Sequence, residues 1–283
     1  MPKKAITLTP DLIRRYARQL QEQERAPQTI RKYVHDLTAL AVFLGDRPLT
    51  KELAVEWRTV LLARGYAPST INAMLAALNG LFRFLGWETC RVKFLKMQRR
   101  LFREEARELQ RQEYDRLLSA ARGQGLERLA LLIETICATG IRVSEVRYIT
   151  LEAARRGQAE IALKGKIRVI LLPGKLCRKL QKYAGQQKIA SGEIFLTRSG
   201  HSLSRKQIWA EMKKLCEKAG VEPSKVFPHN LRHLFARTFY KVCRDVAKLA
   251  DVLGHSSIET TRIYLISTGA EHARTLDMLR LVS

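Results

Sequence analysis

The sequence contains no pair of cysteines spaced for a metal or redox site. Its five cysteines, Cys90, Cys137, Cys177, Cys216 and Cys243, are odd in number and scattered, with no Cys-x-x-Cys among them. That argues against zinc or dithiol chemistry and reads as the reduced thiols of a cytosolic protein. No apolar run approaches the roughly 18 residues needed to span a bilayer. The first residues lack the charged-then-apolar order of a signal peptide, so the expectation is a cytoplasmic chain with no membrane contact. Also missing are a cluster of metal ligands and a phosphate-cradling Gly-rich loop, so neither a metal nor a nucleotide cofactor is expected.

The scarce charge is the negative one: 27 Asp and Glu stand against 51 Lys and Arg, a formal net charge of +24. This exceeds what solubility requires and points to a polyanionic partner. The excess is not one basic tail, because residues 1–100 hold 18 basic and 8 acidic residues and the rest of the chain holds 33 and 19. Both halves are therefore expected to contact phosphate and to gain affinity by releasing counterions. Charge alone leaves a ribosomal or chromatin-type binder open as well. A length of 283 residues suits two domains of ordinary size.

An internal repeat organises the N-terminal part. Residues 26–45, APQTIRKYVHDLTALAVFLG, align without a gap on residues 67–86, APSTINAMLAALNGLFRFLG. In each copy the apolar residues follow helical spacing. Pro27 and Pro68 sit where a first helical turn tolerates proline, and Gly45 and Gly86 where a glycine ends a helix. With shorter helices near 9–24 and 50–64, residues 1–88 read as a four-helix domain. A basic stretch over 89–110, rich in Arg and Lys from Arg91 to Arg107, reads as a linker, either lying along a DNA backbone or serving as a solvated connector, with the charge favouring the first. Residues 111–283 read as a second domain. Helices are expected near 111–122, 126–138, 204–219, 229–241, 244–252, 257–266 and 270–281. A hairpin is expected from 159–163 and 168–172, flanking a turn over 164–167. The fold class expected is mainly α with a small antiparallel β-sheet.

Four motifs in the second domain must be read together: ATGIRVSE (138–145), LKGKIR (163–168), HNLRH (229–233) and LGHSSIETTRIY (253–264). Phosphoryl transfer needs a nucleophile, donors for the nonbridging oxygens and a proton source for the leaving oxygen. Arg142 and Arg232 supply guanidinium forks, which hold two oxygens where lysine offers a point charge. Tyr264 is the candidate nucleophile. A phenol is mostly protonated at neutral pH, so it needs a nearby base and cationic surroundings. His229 and His255 are candidates for that help. Lys166, in the hairpin turn, would protonate the departing hydroxyl, with Lys164 as its competitor. Tyr240 is a rival nucleophile, but it lies on a helical pattern with Phe235 and Phe239 that gives it a packing role.

The ordered set Arg, Lys, His-x-x-Arg, Gly-His and Tyr resembles the signature of the tyrosine recombinases, or phage integrase family, in its compact Xer-like or transposon-borne form. The N-terminal helical unit likewise resembles the family's core-binding domain, so the likeness covers nearly the whole chain. Residue by residue, it implies that Arg142, Lys166, His229, Arg232, His255 and Tyr264 are catalytic. It further implies that Glu145 orients the site and that His233 is structural support. The lysine turn of the family commonly reads Gly-Lys-Gly-x-Lys-x-Arg, here shortened to Gly165-Lys166-Ile167-Arg168.

The resemblance implies a two-domain, C-shaped clamp on double-stranded DNA and a site-specific recombinase that works through a 3′-phosphotyrosyl intermediate and a Holliday junction. It implies a homotetramer on two DNA recombination sites, monomeric or dimeric off DNA, joined by exchange of the C-terminal helix, and a nucleoid-associated location. A type IB topoisomerase and a non-catalytic DNA-binding regulator are the alternatives. The first conflicts with the core-binding domain, and the second with the intact nucleophile and arginines.

Overall fold

The computed structural model describes residues 5–97, 105–163, 166–255, 257–264 and 277–279, with Glu105, Leu163 and Lys166 described by their backbone. Two compact units emerge, residues 1–99 and 100–283. Among the described residues, no helix is long and apolar enough to cross a membrane.

The first unit is made of four helices, α1 (Pro10–Glu22), α2 (Pro27–Leu44), α3 (Lys51–Ala63) and α4 (Pro68–Phe84). Thr9 and Thr50 cap α1 and α3 by accepting from Leu12 N and Leu53 N. Such a cap satisfies one of the orphan amides of the first turn. Pro27 and Pro68 open the two repeat helices, as the repeat predicts. Leu37 and Leu40 of α2 meet Ile71, Leu75, Leu78 and Phe82 of α4 in one buried core.

The basic stretch does not begin as a free connector. Asn79 donates to Val92 O (2.9 Å) and accepts from Val92 N (2.8 Å). One register further on, Asn72 donates to Leu95 O (3.0 Å) and accepts from Leu95 N (2.8 Å). Asn72 and Asn79 are two turns apart on one helix face. Their amides stand in for a neighbouring strand and hold residues 92–95 against α4.

The second unit contains α5 (Arg111–Gly123), α6 (Glu127–Thr139), α7 (Leu151–Arg156), α8 (Gly174–Gln186), α9 (Arg205–Ala219), α10 (Pro228–Cys243), α11 (Val246–Leu253) and α12 (Ile258–Arg262), with a hairpin of β1 (Gln158–Leu163) and β2 (Lys166–Leu171) between α7 and α8 in chain order. The Ser204 and Gln207 capping box forms at the start of α9. α7 and α8 lie where the sequence pattern offered no expectation. Expected helix 270–281 lies outside the described residues except 277–279, as do Lys164 and the end of expected helix 257–266.

The hairpin differs from expectation in one respect that matters for the site. Its ladder runs from Gln158↔Leu171 to Leu163↔Lys166, so Lys166 opens β2 instead of sitting in a four-residue turn. Each added rung pairs backbone groups that a longer turn would leave to solvent. The strands alternate cleanly: Ala159, Ile161 and Ile170 are buried, while Ile167, Val169 and Leu171 face out.

The end of the expected linker is tied down as well. In the second unit, Asn230 Nδ2 donates to Arg107 O (3.0 Å) and Arg237 Nη2 to Leu109 O (2.7 Å), with Arg237 also paired to Glu108. These contacts fasten residues 107–109 to α10.

Candidate active site

α6 stops at Gly140, which takes the left-handed conformation (φ +64°). A Cβ at Gly140 would overlap the Phe235 ring and Leu253. The glycine thus serves both the turn and the close approach of α10 and α11. Two residues on, Arg142 N donates to Glu145 Oε2 (2.7 Å) and Arg142 Nη1 to Glu145 Oε1 (2.9 Å). Glu145 is buried. Its Oε2 also accepts from Arg168 Nη2 on β2 (2.5 Å). One buried carboxylate therefore orients two guanidinium groups, which fits the orienting role expected of Glu145.

Arg232 projects from α10 and is only 1% exposed. Nη1 donates to Gly140 O and Nη2 to Leu253 O (2.8 Å). The same Nη2 lies 2.9 Å from His255 Nε2. A guanidinium only donates, so His255 Nε2 accepts and its proton sits on Nδ1, which donates to Thr261 Oγ1 (2.8 Å). Burial, and then Arg232, Arg142, Arg168 and His229, push the His255 imidazole down to about 4. Burial, Arg232 and Arg142 likewise lower His229. Both rings are neutral at neutral pH.

Tyr264 is only 3% exposed and packs with Ala236, Leu249 and Leu253. Three imidazoles surround it: His233 edge-on at 4.5 Å between ring centroids, His255 stacked at 5.8 Å and His229 at 6.2 Å. Burial lowers the Arg232 guanidinium, and a hydrogen bond with Tyr264 opposes that fall. Tyr240, the rival nucleophile, is half-buried against the same apolar cluster. Arg142 differs from its partners in being 41% exposed, so its fork is open to a ligand from outside.

Five of the six expected residues thus converge: Arg142, His229, Arg232, His255 and Tyr264. For Lys166, the structure gives the start of β2, two residues before Arg168. Arg168 and Thr261 carry no role in the sequence expectation, and His233 carries only that of structural support. Arg168 lies at an inward position of β2, paired in register with Ile161. His233 is one helical turn after His229 on the same face, and its ring lies 4.6 Å from that of His229. Thr261, buried in α12, fixes the His255 tautomer.

Residues 107–271 match the phage integrase family, and residues 13–89 match the phage integrase N-terminal SAM-like domain. Tyrosine recombinase XerA of Thermococcus kodakarensis is 30% identical over 93% of this chain and 93% of its own. Tyrosine recombinase XerD of Brucella suis is 31% identical over 86% of this chain and 88% of its own. In fold, the chain is similar to a lambda integrase tetramer bound to a Holliday junction (18% identity, TM-score 0.73, covering 93% of this chain and 78% of the other). With a family match that spans most of both units and relatives of this identity and coverage, the chain belongs to the phage integrase family of tyrosine recombinases.

Proposed function

We propose that this protein is a site-specific DNA recombinase in which Tyr264 attacks the scissile phosphate. The observation that carries the reading is the gathering of Arg142, His229, Arg232 and His255 with Tyr264, from three motifs separated in the sequence. Tyr264 Oη forms a bond to phosphorus and the bond to the 5′ oxygen breaks, leaving a 3′-phosphotyrosyl link and a 5′-hydroxyl. Arg142 and Arg232 stabilise the charge on the nonbridging oxygens. His229, neutral and near the phenol, takes its proton. His255 has both nitrogens engaged by Arg232 and Thr261, so it holds the arginine fork in place. Lys166 supplies the proton to the 5′ oxygen. A 5′-hydroxyl from a second duplex reverses the step, with the acid and base exchanging roles.

The matched SAM-like region and the Xer relatives favour recombination over resealing of the same strand by a topoisomerase. A homotetramer on two DNA sites, with the segment after Tyr264 exchanged between subunits, is the assembly that fits this chemistry. The tetramer of the lambda integrase neighbour supports it.

The test is a suicide substrate nicked beside the cleavage site. Wild-type protein should accumulate a covalent adduct with EDTA present and without ATP. Tyr264→Phe should bind the same duplex and form none; an undiminished adduct would reassign the nucleophile.

A further inference from the structure

We propose that Arg168 is a positioning residue for strand transfer: by gripping Glu145 and the last turn of α11, it holds the start of β2, and with it Lys166, at the reacting phosphate. The inference rests on the recombinase reading above. The hairpin is docked from one side only, because Ile167, Val169 and Leu171 of its outer face are exposed. Its inner face is anchored by Ala159, Ile161 and Ile170, and, on the same rung as Ile161, by Arg168, the inward residue of β2 nearest the turn among those whose side chains are described.

Arg168 reaches across to two separate elements. Nη2 meets Glu145 Oε2 at 2.5 Å, and Nη1 donates to Val252 O at 3.4 Å. Gly254 makes room for it: a Cβ at this position (φ +63°) would overlap the Arg168 side chain. The glycine of the Gly-His pair therefore admits the arginine of the hairpin next to the histidine. Because Glu145 also holds Arg142, the strand that begins with Lys166 is registered to the phosphate-binding arginine through a single carboxylate.

The side chain is only 17% exposed, and its buried Nε has no hydrogen-bond partner among the described residues. Burying a cation with an unsatisfied donor is costly. An apolar residue at this inward strand position would avoid that cost, so the arginine is accounted for by what it grips. Two residues of strand span roughly 6.6 Å, which puts the backbone of Lys166 close enough to be steered by this anchor.

A proton donor to the leaving oxygen becomes dispensable when that oxygen is replaced by sulfur, a far better leaving group. Arg168→Ala should form adduct at least about 10-fold more slowly on the ordinary suicide substrate, within the range expected for loss of a general acid. On the 5′-bridging phosphorothiolate substrate it should come within about threefold of wild type, as Lys166→Ala should. Equal slowing on both substrates, or no slowing on either, overturns the proposal. Should Arg168→Ala melt early or lose duplex binding, Arg168→Lys carries the same comparison, since it keeps a cation facing Glu145 and loses only the fork. If wild-type protein forms no adduct on either substrate, the recombinase reading itself falls; a defect in Arg168→Ala alone that sulfur leaves unchanged removes only the positioning role.

Discussion

Arg142 and Arg232 carry the same guanidinium in opposite surroundings. Arg232 is sealed, with its donors committed to two backbone carbonyls and His255, whereas Arg142 is open, held by the Glu145 carboxylate and a long bond to Gly254 O. Replacement by lysine should therefore fail in different ways. Arg142→Lys should fold as stably as wild type and lose about 10²–10³ in cleavage rate, the scale of removing one preorganised donor. Arg232→Lys should also lose about 2–4 kcal/mol of stability, because one ammonium cannot serve Gly140 O, Leu253 O and His255 together. Urea unfolding beside single-turnover cleavage separates the two; equal stability in both variants would contradict the packing described.

The neutral His255 imposes a pH dependence. Its folded pKa, about 4, lies below the unfolded value near 6.5. Between these values the unfolded chain binds the extra proton, so stability is full above about pH 6.5 and is lost as the pH falls toward 4. Thermal unfolding between pH 7 and 4.5 should show this slope, and His255→Asn should flatten it. A variant with an unchanged slope would assign the effect to other groups.

At this scale the motifs made Arg142, His229, Arg232, His255 and Tyr264 legible as a group that the fold gathers, because spacing in the sequence carries them. Arg168 was not legible in the same way. Its partner Glu145 is 23 residues away in sequence, and only strand register and the missing side chain at Gly254 bring the two together.

Among the elements, the repeat helices announced themselves through proline at the start and glycine at the end. α8 gave a weaker signal, although Leu176, Cys177, Leu180 and Ala184 form its buried stripe. The stripe is interleaved with basic residues and follows Pro173-Gly174, which reads locally as a turn. The hairpin was recognised but its turn was drawn too long, because pairing to the last rung is decided by the ladder. α6 offers a direct test of an element boundary. Gly140→Ala should destabilise the second unit by about 2–4 kcal/mol, combining left-handed strain with overpacking against Phe235. Denaturant unfolding would measure it, and a loss below about 0.5 kcal/mol would mean that the α10 contact yields freely.

For the whole molecule, the basic connector is shorter than its sequence suggests. Its front is laced to α4 by Asn72 and Asn79, and its end is fastened to α10 by Asn230 and Arg237. Between Leu95 and Arg107 lie eleven residues, 96–106, a contour of roughly 36–40 Å at most. Once one unit sits on a duplex, the other is confined to a small volume around it. Its local concentration near the same duplex is then set by chain length, whatever its own affinity. The two amide pairs at Asn72 and Asn79 thus act as a take-up on the chain between the units. Doubling the span with eleven Gly and Ser residues inserted after Arg100 should weaken duplex binding by about threefold, following the −3/2 power of length, while each unit alone binds as before. Asn72→Ala with Asn79→Ala should weaken it in the same direction by paying out the strap itself, and gel-shift titration at fixed salt would register both.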